Sequence, residues 1–172
     1  ISLKVQKRRG NALECLIEND GTLGSRKSVN IPGVKLNLPS ITAKDIKFLE
    51  MAASTEVDFI AHSFVRSKQD VLDVKAVLQS YNSNIKIIAK IENQEGVDNL
   101  DDILDNVYGI MVARGDMGIE IPYEKIPGIQ KMITTANTMS NANNRSFSCL
   151  GVNENSTLVA AAAFISFTSP AT

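Results

Sequence analysis

The chain has 172 residues, 44% of them apolar and 22% charged, with a formal net charge of −1. That is enough for one ordinary domain with a sizeable core, and Lys and Arg scattered among acids argue against nucleic acid as a partner. No apolar run approaches the roughly 20 residues that cross a bilayer, and the first residues lack the layout of a secretory signal, so a membrane role is not expected. Cys15 and Cys149 are too few and too far apart for a disulfide framework or a zinc site, which fits a reduced, cytoplasmic setting. His62 is the single histidine, which argues against a Ser-His-Asp triad or a multi-histidine metal centre.

Residues 1 to about 30 read as β structure. Ile1, Leu3 and Val5 alternate with polar residues, and Ala12-Leu13-Glu14-Cys15-Leu16-Ile17 follows an Arg9-Gly10-Asn11 turn. Residues 33–38, bracketed by Pro32 and Pro39, suit an extended connector. From Thr42 the pattern alternates between helix and strand. Thr42-Ala43-Lys44-Asp45 is a capping-box start, with Ile46, Leu49 and Ala53 behind it at helical spacing. Asp58-Phe59-Ile60-Ala61 is a short strand. Ser67-Lys68-Gln69-Asp70 repeats the start signal, ahead of a Val71, Val74, Leu78 stripe.

Residues 85–91 form the next strand, and residues 97–105 one or two short acidic helices with a solvated face. Residues 108–112 are a third strand, followed by a turn rich in Gly and Pro and a helix from about Tyr123. Strands separated by helices imply a parallel sheet with right-handed crossovers. Beyond Met132 the composition shifts to Ser, Thr, Asn and Ala, with Arg145 and Glu154 as the only charges from residue 134 onward. Residues 158–167 form an apolar run that needs burial.

The polar residues of interest gather at strand C-termini, where parallel α/β folds keep their sites. In Ile87-Ile88-Ala89-Lys90-Ile91-Glu92-Asn93 the pleat puts Lys90 and Glu92 on one face. Gly109-Ile110-Met111-Val112 runs into Ala113-Arg114-Gly115-Asp116. Glu92 and Asp116 suit Mg²⁺ or Mn²⁺, which take hard oxygen ligands. Lys90 can neutralise charge developing on a phosphoryl group or an enolate oxygen. If residues 113–116 open a helix, their free N–H groups suit a carboxylate or phosphate.

Each residue has a plainer alternative. Lys90 and Glu92 can simply pair with each other, Asp116 can cap a helix, and Arg114 can form a structural salt bridge. Phe64, beside Ser63, can line the same opening or pack in a core. Lys27, in Gly24-Ser25-Arg26-Lys27, can reach a nucleotide phosphate or be a charged turn.

The two strand-end segments, residues 87–96 and 109–120, resemble those of pyruvate kinases. The hinge Leu23-Gly24-Ser25-Arg26-Lys27-Ser28-Val29-Asn30-Ile31-Pro32-Gly33 and Ser63-Phe64-Val65-Arg66 agree in order and spacing. The resemblance runs from Ile1 to about Met132. It implies phosphoryl transfer from phosphoenolpyruvate to ADP, giving pyruvate and ATP. The implied fold is α/β: a partial (β/α)₈ TIM barrel of about three parallel strands, preceded by part of a small β-rich lid domain. The expected division is residues 1–35 for the lid and hinge, 36–132 for the partial barrel and 133–172 for a non-matching tail.

By resemblance, Lys90 is the catalytic lysine and Glu92 and Asp116 are the Mg²⁺ or Mn²⁺ ligands. Lys90, Ala113, Arg114, Gly115 and Asp116 bind phosphoenolpyruvate, and Lys27, Ser63 and Phe64 lie on the nucleotide side. A K⁺ ion belongs to the family, but its ligands are expected on strands absent from this chain, as is the catalytic threonine. The abrupt change after Met132 suggests a frameshift, an unspliced intron, a gene-model artefact or a real divergent tail. Members of the family are usually homotetrameric. Two rivals stand beside this reading: another phosphoenolpyruvate/pyruvate barrel such as a lyase or aldolase, and a non-catalytic truncated product.

Overall fold

The computed structural model describes residues 1–141 and 149–151, except positions 26, 28, 35–37 and 56, with side chains as far as residue 136. Parts of the hinge and connector therefore lie outside the described residues, as does the apolar run 158–167. The chain divides into two compact units, one formed by residues 1–30 and one beginning at Ile31.

The first unit is a hairpin. Strands β1 (Leu3–Arg9) and β2 (Ala12–Ile17) pair antiparallel, from Leu3 opposite Ile17 to Arg9 opposite Ala12. The connection is two residues long, and Gly10 takes the left-handed conformation it needs, with φ of 59°. The register slips between Val5 and Lys7. Leu3, Val5, Leu13, Leu16 and Ile17 are all exposed, so the alternation seen in the sequence does not create a buried face here.

The second unit contains helix α1 (Ala43–Ala53), strand β3 (Phe59–His62), helix α2 (Lys68–Ser80) and strand β4 (Lys86–Ile91). Two short helices follow, α3 (Gln94–Asp98) and α4 (Leu100–Leu104), and then strand β5 (Gly109–Val112) and helix α5 (Arg114–Glu120). A single 3₁₀ turn, Tyr123–Lys125, leads into α6 (Ile126–Asn141), and a three-residue strand β6 (Cys149–Gly151) completes the set. The helix thus continues past Met132, where the composition changes. No helix among the described residues is long and apolar enough to cross a membrane.

The helix starts are set by local chemistry. Thr42 caps α1 reciprocally: its hydroxyl accepts from the Asp45 N–H at 3.2 Å, while the Asp45 carboxylate accepts from the Thr42 N–H at 2.7 Å. The buried face of α1 is Asp45, Leu49 and Ala52, one position away from the expected Ala53. On α2 the expected stripe is the buried one, with Val71 and Val74 at 0% and Leu78 at 3% exposure. Asn93 starts α3 by accepting from the Gly96 N–H at 2.7 Å. In the stretch after β5 the sequence offers a turn or a helix opening at residues 113–116, and the structure has the seven-residue helix α5 there. Asp98, Asp101, Asp102 and Asp105 are exposed, as expected of a solvated face.

The sheet runs β3-β4-β5-β6, parallel at every step. It is open among the described residues. Its register divides the side chains between two faces. Ile60 sits beside Ile87, Ala89 beside Ile110, and Ile91 beside Val112. All six belong to the hydrophobic core, together with Leu49, Val71, Val74, Ile103, Met117 and Ile133 from the helices. The alternate residues Ala61, Ile88, Lys90 and Met111 occupy the opposite face.

Gly96 marks a close approach inside this unit. A Cβ there would lie 2.5 Å from the backbone oxygen of Val65, whereas one at Gly128 would meet nothing within 4 Å. Gly96→Ala is expected to lower the unfolding free energy by about 1–3 kcal/mol, as overpacking does. Gly128→Ala, in an open stretch of α6, should raise it by up to about 1 kcal/mol through helix propensity. Urea midpoints of the two variants in parallel test the contrast.

Candidate functional site

The parallel register brings the C-terminal ends of β3, β4 and β5 to one edge. Extending it by one residue places Ser63 beside Lys90, and the Lys90 Nζ donates to Ser63 Oγ at 3.1 Å. Lys90 Nζ also lies 2.6 Å from Glu92 Oε1, so the same-face reading of these two residues holds. This is a close contact of opposite charges without the alignment of a hydrogen bond, and Oε1 has no hydrogen-bond partner. The other oxygen, Glu92 Oε2, accepts the backbone N–H of Phe64 at 2.8 Å.

Burial raises the stakes of this arrangement. The Glu92 side chain is 0% exposed and that of Lys90 19%. An isolated carboxylate there would cost several kcal/mol, so the ammonium and the amide together make Glu92 tolerable.

The segment that presents Ser63 and Phe64 is fastened from several sides. The Asp70 carboxylate, at the start of α2, accepts from the N–H groups of Arg66 (2.8 Å) and Ser67 (3.2 Å) and pairs with the Arg66 guanidinium at 3.1 Å. Asn99 donates its side-chain amide to the Arg66 carbonyl at 2.8 Å. Phe64 itself has φ of 54°. A bulky residue in this left-handed region costs about 1–2 kcal/mol. Asn82, with φ of 52°, is a residue type that tolerates it. Phe64 is 42% exposed, which excludes the core-packing alternative.

Helix α5 is tied to β4 at both ends. The Ala113 N–H donates to the Ile91 carbonyl at 3.3 Å, and the Glu120 carboxylate accepts from the Gln94 N–H at 3.0 Å. Asp116 falls in the first turn of α5 rather than at its N-cap, which is Ala113. Arg114, Gly115 and Asp116 are exposed, and Ala113 is half-buried. Among the described residues neither Arg114 nor Asp116 has an ion pair or hydrogen-bond partner, so the salt-bridge alternative for Arg114 is not realised. No cluster of three or more metal-ligating side chains occurs among the described residues. Glu92 and Asp116 are thus two carboxylates from consecutive strand ends. Lys27 is an exposed residue of the first unit.

Sequence reasoning placed Lys90, Glu92 and Ser63 together but missed what steadies them. The Phe64 contribution is a backbone N–H, which no residue type announces. The Glu120 and Asn99 contacts join segments 26 and 33 residues apart. The Asn93 cap and Asp70, in the Ser67–Asp70 helix start, were the contributors with a local signal.

Comparison with known proteins decides the family. The model of the family described as pyruvate kinase, barrel domain, matches residues 1–149. The chain belongs to the pyruvate kinase family. A pyruvate kinase of Borreliella burgdorferi is 53% identical over 135 residues, covering 78% of this chain and 28% of that protein. Pyruvate kinases of Staphylococcus aureus and Staphylococcus epidermidis are each 50% identical, over 119 and 128 residues and 20% and 22% of their lengths. The chain therefore spans between a fifth and just over a quarter of these curated relatives.

His62, next to Ser63, is 2% exposed. Burial lowers its pKa below the usual 6.5, with Asp70, a hydrogen bond to the Ser40 backbone and Asp45 opposing that shift and Arg66 adding to it. The folded chain therefore binds fewer protons than the unfolded one below about pH 6.5, and stability rises with pH across that window. The contribution is complete above the unfolded value and is lost as pH falls through the folded one. The thermal midpoint should accordingly drop between about pH 8 and about pH 5, and the His62→Gln variant should lose part of that slope.

Lys90→Met leaves the buried Glu92 carboxylate without its counter-charge and should cost about 3 kcal/mol. The same change in a Glu92→Gln background should cost far less, and a double-mutant cycle by chemical denaturation measures the difference.

Proposed function

We propose that this chain carries the phosphoenolpyruvate- and metal-binding strand ends of an enzyme that transfers a phosphoryl group from phosphoenolpyruvate to ADP. The observation that carries the reading is the buried Lys90–Glu92 pair at the end of β4, 2.6 Å apart, in a chain of the pyruvate kinase family. A buried ion pair is poor stabilisation compared with apolar packing. Its position at the strand end, where the next strand leads into a helix bearing an exposed carboxylate, supports a chemical role.

The donors present fit a hard divalent cation. Glu92 and Asp116 offer carboxylate oxygens only, the Glu92 Oε1 being in contact with the Lys90 ammonium, so Mg²⁺ or Mn²⁺ is the proposed ligand. When bound, the ion neutralises and polarises substrate oxygens.

Lys90 holds a fixed positive charge where a transferring phosphoryl group needs it, and Ser63 restrains that ammonium. The amides of residues 114–116, in the first turn of α5, lack intrahelical acceptors and suit the substrate carboxylate. Arg114 adds an exposed positive charge beside them. On the nucleotide side we assign Ser63 and Phe64 of the second unit; Lys27, of the first unit, is assigned a nucleotide contact by family resemblance alone. Substrate and nucleotide are small soluble anions, consistent with a cytoplasmic enzyme.

Mn²⁺ binding followed by electron paramagnetic resonance tests the metal assignment on the 172-residue chain. Weak binding is expected, and Glu92→Ala or Asp116→Ala should abolish it; unchanged binding in either variant would remove that residue from the site. The chain alone should give no turnover in a lactate-dehydrogenase-coupled assay. It spans at most 28% of the relatives compared above, and catalytic groups act as a unit whose partial loss costs many orders of magnitude.

A further inference from the structure

Phe64 is a bulky residue with a left-handed backbone, and it stays 42% exposed. The strain is therefore not explained by a need to bury the side chain. What the conformation accompanies is a contact made by the backbone: the Phe64 N–H meets Glu92 Oε2 at 2.8 Å, across 28 residues of sequence.

Four contacts hold this segment against the β4–α3 junction. Ser63 Oγ accepts from Lys90, the Phe64 N–H donates to Glu92, and the Val65 carbonyl sits where a Cβ of residue 96 would lie 2.5 Å away. The Arg66 carbonyl accepts from Asn99. From the other side, Asp70 grips the N–H groups of Arg66 and Ser67. A segment fixed at so many points can sustain a backbone outlier, and such outliers concentrate where geometry serves function.

The effect on Glu92 is to divide its two oxygens. Oε2 is committed to an amide, which fixes the plane and rotation of the carboxylate. Oε1 makes no aligned hydrogen bond; its contact is the Lys90 ammonium, 2.6 Å away. We infer that Phe64 is a positioning residue, whose left-handed backbone aims its N–H at Glu92 Oε2 and so sets the orientation in which Oε1, beside the Lys90 ammonium, is offered to the divalent cation. This inference rests on the metal assignment proposed above. It adds that the ligand's orientation is set by a main-chain conformation on the neighbouring strand's loop, and the residue type at position 64 tunes it through φ rather than through its ring. Outer partners of this kind change metal affinity by about 10–100-fold when lost.

Three variants of the 172-residue chain separate backbone from ring. Phe64→Gly removes the ring and accepts positive φ freely, Phe64→Ala removes the ring at ordinary left-handed cost, and Phe64→Val resists positive φ most. Mn²⁺ affinity by electron paramagnetic resonance should stay near wild type for Gly and weaken about tenfold or more for Val, with Ala between. Amide hydrogen exchange gives a readout independent of metal: residue 64 should be protected in wild type and Gly, and lose protection in Val and in Glu92→Ala. A purely structural role would shift unfolding midpoints while leaving the Mn²⁺ affinity of folded Phe64→Val unchanged, and that result overturns the inference alone. Equal weakening in Gly and Val would assign the effect to the ring and overturn it too. Absence of Mn²⁺ binding by the wild-type chain would take down the metal assignment and this inference together.

Discussion

A carboxylate with no solvent exposure governs the second unit of this chain. Glu92 stands where β4 leaves the sheet, and an anion in that position demands partners for both oxygens. One is met by an ammonium two residues earlier on the same strand, the other by an amide from the β3–α2 loop. Meeting the second demand requires a left-handed Phe64, and holding Phe64 there requires the Asp70 carboxylate, the Asn99 side chain and a glycine at position 96. A single buried charge thereby links the β3–α2 and β4–α3 connections into one mechanical unit.

Parallel pairing makes this economical. With β3, β4 and β5 in straightforward register, one alternation supplies Ile60, Ile87, Ala89, Ile91, Ile110 and Val112 to the core. The other delivers Ser63 and Lys90 side by side on the opposite face. Neither set can move without the other, since a slip of one residue would exchange the two faces. The same pattern that stabilises the sheet therefore locates the polar cluster.

Much of this was legible because it is local. Period-two alternation in Ile87-Ile88-Ala89-Lys90-Ile91-Glu92 locates the strand and co-faces Lys90 with Glu92. Thr42 with Asp45, and Ser67 with Asp70, announce helix starts. The segments resembling pyruvate kinases carried the family on their own. What escaped is what depends on distant segments or on backbone. The 42% exposure of Phe64 follows from a main-chain conformation that its identity disfavours. Helix α5 stands in the sequence only as an alternative to a turn, because Gly115 and Gly118 weaken its propensity, while the ties that hold it run to Ile91 and Gln94. In the hairpin the alternation of Leu3 and Val5 indicated a strand correctly, yet implied a buried side that the described residues do not supply.

The tethering of α5 at its two ends separates two kinds of evolutionary constraint. Ala113 and Glu120 hold the helix in place, while Arg114 and Asp116 between them are exposed and bind nothing else among the described residues. Folding thus exerts little selection on the identities of Arg114 and Asp116, and drift at those two positions would be checked only by whatever they contact in the working enzyme. Glu92 offers no such separation, because in the role proposed for it its loss would disturb packing and metal binding at once. Among relatives that have abandoned catalysis, the exposed pair on α5 should therefore decay first, and the buried carboxylate last.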